Sequence, residues 1–133
     1  MSENTILIQE YAKNPINNFA LENFDVSYHE WNFICWDDIT VYLCIDDNTI
    51  KKYGYTWNTS MTSLASASYL SEFIISADIQ NVLTWSYKTL LDRDFIVSNR
   101  RKRAAVLPLL AVRNALHEYL KDGIIEDFDD LLD

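Results

Sequence analysis

From Ile39 to Ile45 the chain alternates without interruption. Ile39, Val41, Leu43 and Ile45 fall on one side, and Thr40, Tyr42, Cys44 and Asp46 on the other. That period of two marks a strand with one buried face. Asp46-Asp47-Asn48 follows at once and reads as a hairpin turn. The chain then returns over Thr49–Trp57, placing Tyr53, Tyr55 and Trp57 on one face. A third alternating stretch precedes these two, over Phe24–Trp31, with Phe24, Val26 and Tyr28 opposite Asp25, Ser27 and His29. Asn32–Asp37 is the loop between them. Three consecutive strands joined by short connections predict an antiparallel meander.

The period changes near residue 60. Ser60–Ser76 is helical, with Leu64, Ala67, Leu70 and Ile74 on one stripe. Its first half, Ser63-Leu64-Ala65-Ser66-Ala67-Ser68, is nearly all small side chains, which let a helix lie close against a sheet. A second helix is predicted over Asp78–Leu91 with Asp78 as N-cap, and Arg93–Asn99 is a connection. The last helix covers Arg103–Lys121 and buries Ala105, Leu109, Val112, Leu116 and Leu120. Proline is tolerated where no amide hydrogen bond is required, so Pro108 puts the start of regular helix at residues 104–107 or kinks it there. Gly123 is the expected C-terminal stop. Near the N-terminus, Thr5–Lys13 reads as a short amphipathic helix with Ile6, Leu7, Glu10 and Tyr11 at helical spacing, stopped by Pro15. Strands and helices are segregated along the chain, so the fold class is α+β: a three-stranded antiparallel sheet packed on one side by helices.

Composition narrows the function classes. Eleven Lys and Arg stand against twenty Asp and Glu, for a net charge of −9. That balance disfavours nucleic acid and an anionic membrane surface as partners. No apolar run approaches the ~20 residues of a membrane span, and the N-terminus lacks the basic region of a signal peptide, so the expected compartment is the cytoplasm. The two cysteines, Cys35 and Cys44, make no disulfide framework and are expected as free thiols. There is no CxxC, HExxH, Gly-rich phosphate loop or GxSxG, and no catalytic residue is assigned. A single domain, residues 1–133, is expected, with its core at about 5–122 and an acidic tail at 123–133.

Several segments carry a family pattern. Tyr11-Ala-Lys-Asn-Pro-Ile-Asn-Asn-Phe19 is similar to a "YKNPRN" segment after a first helix. Cys35-Trp-Asp37 stands in the place of a Cys-Gly-Asp, and Asp38-Ile-Thr-Val-Tyr-Leu43 with Ile45-Asp-Asp47 resembles "DxIxVYLxIxD". Ser63–Ser68 looks like the small-residue helix after a second cysteine. Arg101-Lys-Arg-Ala-Ala-Val-Leu-Pro108 looks like the "RxxCAxLP" segment bearing a third. Together these resemble the NifU N-terminal, IscU and SufU family of iron–sulfur cluster assembly scaffolds, over roughly residues 5–122.

The resemblance implies a site of three cysteines and an aspartate. Carried over position by position, the first cysteine is Cys35 and the aspartate is Asp37. The second cysteine falls at Ser60, the third at Ala104, and the intervening glycine is Trp36. Cys35 and Asp37 alone cannot fill a four-coordinate site. Serine is a hard and scarcely ionised substitute, and alanine offers no donor. The expectation is therefore a degenerate scaffold that binds no cofactor stably, with iron–sulfur cluster or zinc implied by the family alone. The partner implied is a cysteine desulfurase or another iron–sulfur assembly protein. One alternative is a non-catalytic binding or regulatory module for such a partner, and another is a sulfur acceptor through Cys35. The sequence leaves the oligomeric state open.

Each singled-out residue has a plainer reading. Cys35 can be a small semi-buried side chain, and Asp37 and Asp38 beside it disfavour the reactive thiolate. Cys44 is structural. His29 and His117 are ordinary surface or hydrogen-bonded histidines, since His117 lies several turns beyond Ala104. Arg100-Arg-Lys-Arg103 is a solvated loop, a docking patch for an acidic partner or a nucleic-acid patch, the last opposed by the acidity of the rest of the chain. Trp31, Trp36 and Trp57 are expected to plug the emptied site, the alternative being an aromatic contact surface. The tail Glu126–Asp133, with five acids in its eight residues, is expected to fray, the alternative being that Phe128, Leu131 and Leu132 dock in a groove.

Overall fold

A computed structural model describes residues 3–58 and 60–132. The strands are β1 (Val26–Asn32), β2 (Asp37–Asp46) and β3 (Thr49–Asn58), antiparallel in the order β1-β2-β3. Ile39, Val41 and Leu43 are fully buried against the helices and Ile45 nearly so. The register puts Tyr55 beside Val41 and Tyr53 beside Leu43, and both rings are buried with them. Their hydroxyls are satisfied as burial requires: Tyr53 Oη donates to the Ala67 carbonyl at 3.0 Å and Tyr55 Oη to that of Ile16 at 2.7 Å. Asp47 and Asn48 both take positive φ, 54° and 57°, the backbone that matches a two-residue hairpin to the strand twist. A register shift after Cys44 then places Ile50, rather than Lys51, opposite Ile45.

The sheet departs from expectation at its first strand. β1 starts at Val26, and Phe24 lies ahead of it, its ring 5.2 Å from that of Tyr42 on the outer face. The segment before β1 crosses that face. Asn23 O accepts from Cys44 Sγ at 3.2 Å, and Asp25 Oδ2 from the Ile45 amide at 2.7 Å. A Cβ built on Gly54 would lie 2.5 Å from Phe19 O, a backbone atom that cannot swing aside. Gly54→Ala is therefore expected to cost about 2–3 kcal/mol through overpacking, measured by urea unfolding. A loss under half a kcal/mol would show that residues 17–25 are not held on the sheet.

The helices are α1 (Thr5–Lys13), α2 (Met61–Ile74), α3 (Ile79–Val82), α4 (Tyr87–Asp92) and α5 (Lys102–Leu120). In α1 the buried residue is Ile8, and Ile6 faces solvent. The α2 stripe Leu64, Ala67, Leu70 and Ile74 is buried, as are Ser63, Ala65, Ser66 and Ser68, so this small-residue helix packs on more than one side. The single helix expected over 78–91 is two. Asp78 caps α3, its Oδ1 accepting from the Gln80 amide at 2.8 Å. Thr84 Oγ1 then donates to Asn81 O at 2.6 Å, and Ser86 starts α4 in a capping box with Thr89. Short hydroxyl side chains offer the backbone local partners that compete with helix continuation.

Helix α5 begins at Lys102, after a 3₁₀ turn at Asn99–Arg101, and runs on through Pro108. The start at 104–107 is not observed. Proline removes the amide that would bond the carbonyl four residues back, here Ala104 O. That oxygen instead accepts from Ser63 Oγ of α2 at 2.8 Å, and Ser66 Oγ donates to Ala105 O at 2.5 Å. A neighbouring helix supplies what the proline withholds. The helix is buried from Ala104 to His117 on every side, well beyond the stripe expected. It ends with Lys121 in the left-handed conformation (φ 55°, ψ 40°), two residues before Gly123.

The C-terminal segment does not fray. Phe128 and Leu131 are buried, and Leu131 O accepts from the Tyr87 amide at 2.8 Å. The Arg103 guanidinium sits over the Phe128 ring at 4.3 Å.

Candidate functional site

The β1–β2 connection, the start of α2 and the start of α5 meet at one end of the sheet. Asn32 pairs with Asp37, leaving Phe33–Trp36 as the turn. Cys35 is exposed on this turn, its amide donating to Asn32 O at 3.3 Å. Ser60 caps α2, its side chain accepting from the Ser63 amide. A cleft of about 330 Å³ is lined by Cys35, Ser60, Met61, Thr62, Arg100, Arg101 and Ala104. Cys35, Ser60 and Ala104 thus share one cleft, and Asp37 is bonded directly to Ser60. The four positions carried over from the family pattern come together in space.

Asp37 is only 3% exposed, and its carboxylate is occupied. Oδ1 accepts from the Ser60 amide at 2.6 Å, and Oδ2 lies 3.4 Å from both the Ser60 and Ser63 hydroxyls. The Ser63 proton goes to the nearer Ala104 carbonyl. The aspartate therefore acts as an anionic partner to the N-terminus of α2, where the helix dipole favours negative charge.

This donor set does not fit a cluster or a tetrahedral metal. Cys35 supplies one thiol, Asp37 is committed to α2, and Ala104 supplies no donor. Among the described residues no group of three or more His, Cys, Asp and Glu side chains is placed to hold a metal ion. Neither histidine supplements the set. His29 faces the outer side of the sheet, Nε2 3.7 Å from Asp38. His117 is buried in α5, with Nδ1 2.8 Å from Asp122 and Nε2 2.7 Å from Glu126. Cys44 points to Asn23, away from the cleft.

The tryptophans do not plug the site. Trp36 is 82% exposed and Phe33 70%, with Trp31, Trp57 and Ile34 also open to solvent. Ser63 and Ala104 are buried there, Ser60 is exposed, and the rings stand outside. The basic run is not a free solvated loop. Arg101 pairs with Glu3 at 3.2 Å, Lys102 lies over the Tyr87 ring and Arg103 over Phe128. Sequence reading missed that Arg100 and Arg101 border the cleft, since their direction depends on the 3₁₀ turn before α5. It also missed Ser63, whose value lies in the Pro108 position across the helix pair.

A family model described as the NifU-like N terminal domain matches residues 3–124. The chain belongs to that family. Two solved structures share the fold of this NifU-like chain. The N-terminal NifU-like protein of Brucella abortus superposes with a TM-score of 0.71 at 18% identity, over 88% of this chain and 94% of that one. A candidate iron–sulfur cluster assembly scaffold for the SUF system from Fervidobacterium islandicum AW-1 gives 0.70 at 20% identity, over 83% and 93%. No curated protein matches the sequence. Among the described residues no helix is long and apolar enough to cross a membrane.

The turn retains a backbone signature at the position that the resemblance matches to glycine. Trp36 has φ 56°, in the left-handed region that glycine occupies without strain. A side chain with Cβ there costs roughly 1–2 kcal/mol, and the looser unfolded state of a glycine chain offsets part of that. Trp36→Gly is therefore expected to stabilise the NifU-like fold by about 1 kcal/mol, read as a rise in the urea midpoint at constant slope. A destabilisation would mean that the exposed ring makes a contact worth more than the strain.

Proposed function

We propose that this chain is a degenerate NifU-like scaffold: a protein of iron–sulfur cluster assembly that keeps the scaffold's shape, lacks two of its three cysteine ligands and holds no cluster stably. It works as a single domain in the cytoplasm. The observation that carries this is the cleft itself, where Cys35, Ser60 and Ala104 meet while Asp37 is bonded to Ser60. One thiol with three non-thiolate neighbours gives an iron–sulfur cluster, which is held by thiolates, no adequate cage. Anaerobic reconstitution with ferrous iron and sulfide, followed by desalting and visible absorbance, tests it. The expected spectrum is featureless, and about one retained cluster per chain overturns the reading.

A second reading is favoured by the exposed aromatic turn beside the cleft. The chain would then be a binding or regulatory module for a cysteine desulfurase or a true scaffold, competing for their surfaces without doing chemistry. Calorimetric titration with a cysteine desulfurase reads this directly. A third reading, sulfur acceptance at Cys35, is supported by that thiol's exposure. Persulfide on Cys35 after incubation with desulfurase and cysteine would put it first.

A further inference from the structure

A second cleft, of about 320 Å³, opens at the same end of the sheet, and neither Ser60 nor Ala104 lines it. Its walls combine two chemistries. Trp31, Phe33 and Trp36 supply aromatic surface, and the Trp31 and Phe33 rings are nearly parallel, 4° apart with centroids 6.2 Å apart. Asp38 supplies a partly exposed carboxylate, while Asp37, which also lines the cleft, has its own carboxylate bonded to Ser60. Among the described residues no Lys or Arg pairs with either carboxylate, and the nearest ionisable partner of Asp38 is His29 at 3.7 Å. Asn32 adds an independent observation. It lines the cleft at 0% exposure, and neither Oδ1 nor Nδ2 has a hydrogen-bond partner. An orphaned buried amide costs about 1–3 kcal/mol.

We propose that this cleft binds an arginine side chain presented by a basic segment of a partner protein. An anion is repelled by Asp37 and Asp38. A purely apolar side chain would bury the Asp38 carboxylate and leave Asn32 unsatisfied. A guanidinium meets every demand together: its flat face stacks on the indoles, its fork of N–H donors matches a carboxylate, and it has donors to spare for Asn32 Oδ1. An ammonium pairs with the Asp38 carboxylate but lacks the flat face. The chain's net charge of −9 attracts such a segment from a distance. A cleft of this size sits at the small end of ligand pockets and takes one long side chain. The assignment is independent of whether the chain holds a cluster, because none of these residues lines the Cys35 cleft.

The test uses the full chain at pH 7.5 and low salt, with a capped peptide of four arginines alternating with glycine as probe. Its citrulline counterpart keeps the shape and removes the charge. Binding is followed through the indole N–H resonances of Trp31, Trp36, Trp57 and Trp85. Trp31 and Trp36 are expected to shift, and Trp57 and Trp85 to stay. Trp36→Ala and Phe33→Ala, both at exposed positions, should each weaken binding about 3–10-fold, and Asp38→Asn comparably. Asp46→Asn, at the opposite end of β2, should change it less than about twofold, as expected for a charge beyond the screening length. Equal effects of Asp46→Asn and Asp38→Asn, or equal binding of the citrulline peptide, would overturn the proposal. So would shifts centred on Trp57 or Trp85.

Discussion

A chain carrying Ser60→Cys and Ala104→Cys together is expected to bind about one zinc ion tightly, where the parent chain binds none. The two substitutions put thiols into the cleft that already holds Cys35, and Asp37, bonded to residue 60, becomes the fourth ligand once it lets go of that amide. Three thiolates and a carboxylate meet the tetrahedral preference of zinc. The costs are modest. Removing the Ser60 hydroxyl weakens the α2 cap by about 1 kcal/mol, and Asp37 must release the Ser60 amide, a bond worth roughly another 1–3. Zinc bound by several thiolates contributes on the order of 10 kcal/mol at neutral pH, so the metal wins by a wide margin. Elemental analysis after dialysis against a weak chelator gives the stoichiometry, and the thermal midpoint should rise on adding zinc. Zinc-free protein from the double variant would mean that Ser60 and Ala104 are not the cysteine positions of the family site. Tight zinc on the parent chain would mean that other ligands have been recruited.

What was legible in the fold was whatever depends on near neighbours in sequence. The alternation of Ile39–Ile45 fixed the buried face of β2, because a side-chain period of two leaves no other assignment. The small residues of α2 announced close packing, though not that Ser63 and Ser66 would bond carbonyls of α5. Pro108 shows the limit most clearly. Read locally it should start or bend a helix, and what lets the helix pass through it is a hydroxyl more than forty residues earlier in the chain. The break between α3 and α4 was also hidden, since Thr84 and Ser86 are unremarkable in composition and act through single hydrogen bonds.

In the candidate site, the meeting of the positions was readable and their surroundings were not. The order of the segments led to the expectation that Cys35, Asp37, Ser60 and Ala104 converge, and they meet in one region. Whether Trp36 filled that region or stood outside could not be read, because a ring's burial depends on backbone direction. Its left-handed φ turns the side chain out to solvent. The acidic tail misled for the opposite reason. Five acids suggested a solvated end, yet the two apolar residues that matter, Phe128 and Leu131, sit where a 3₁₀ turn can seat both in the fold.

Glu126→Ala is expected to destabilise the chain by about 3–5 kcal/mol, the cost of removing one member of a buried ionic network. Glu126 joins that segment to α5. Its carboxylate accepts from Nε and Nη2 of Arg113, the first at 2.9 Å, and lies 2.7 Å from His117 Nε2. Its backbone amide and carbonyl bond the Asn114 carboxamide at 2.8 and 3.1 Å. The Arg113 and Glu126 side chains are each 11% exposed, so solvent cannot replace the lost carboxylate, and the guanidinium would remain buried with Trp85 O as its other partner. The surroundings add to the cost. Glu30 on β1 hydrogen-bonds Asn114, and its own burial pushes its carboxyl up to about 7, so near neutral pH it is a poor substitute counter-ion. For a chain of this size, 3–5 kcal/mol corresponds to a fall of roughly 10–20 °C in the thermal midpoint. Glu126→Gln, which keeps the shape and the backbone bonds, should lose less. A loss below about 1 kcal/mol for Glu126→Ala, with the tail still protected in hydrogen exchange, would show that Phe128 and Leu131 hold the segment without it. Release of the tail would instead leave Phe128 and Leu131 exposed and strip α5 of the cover over Arg103 and Arg113.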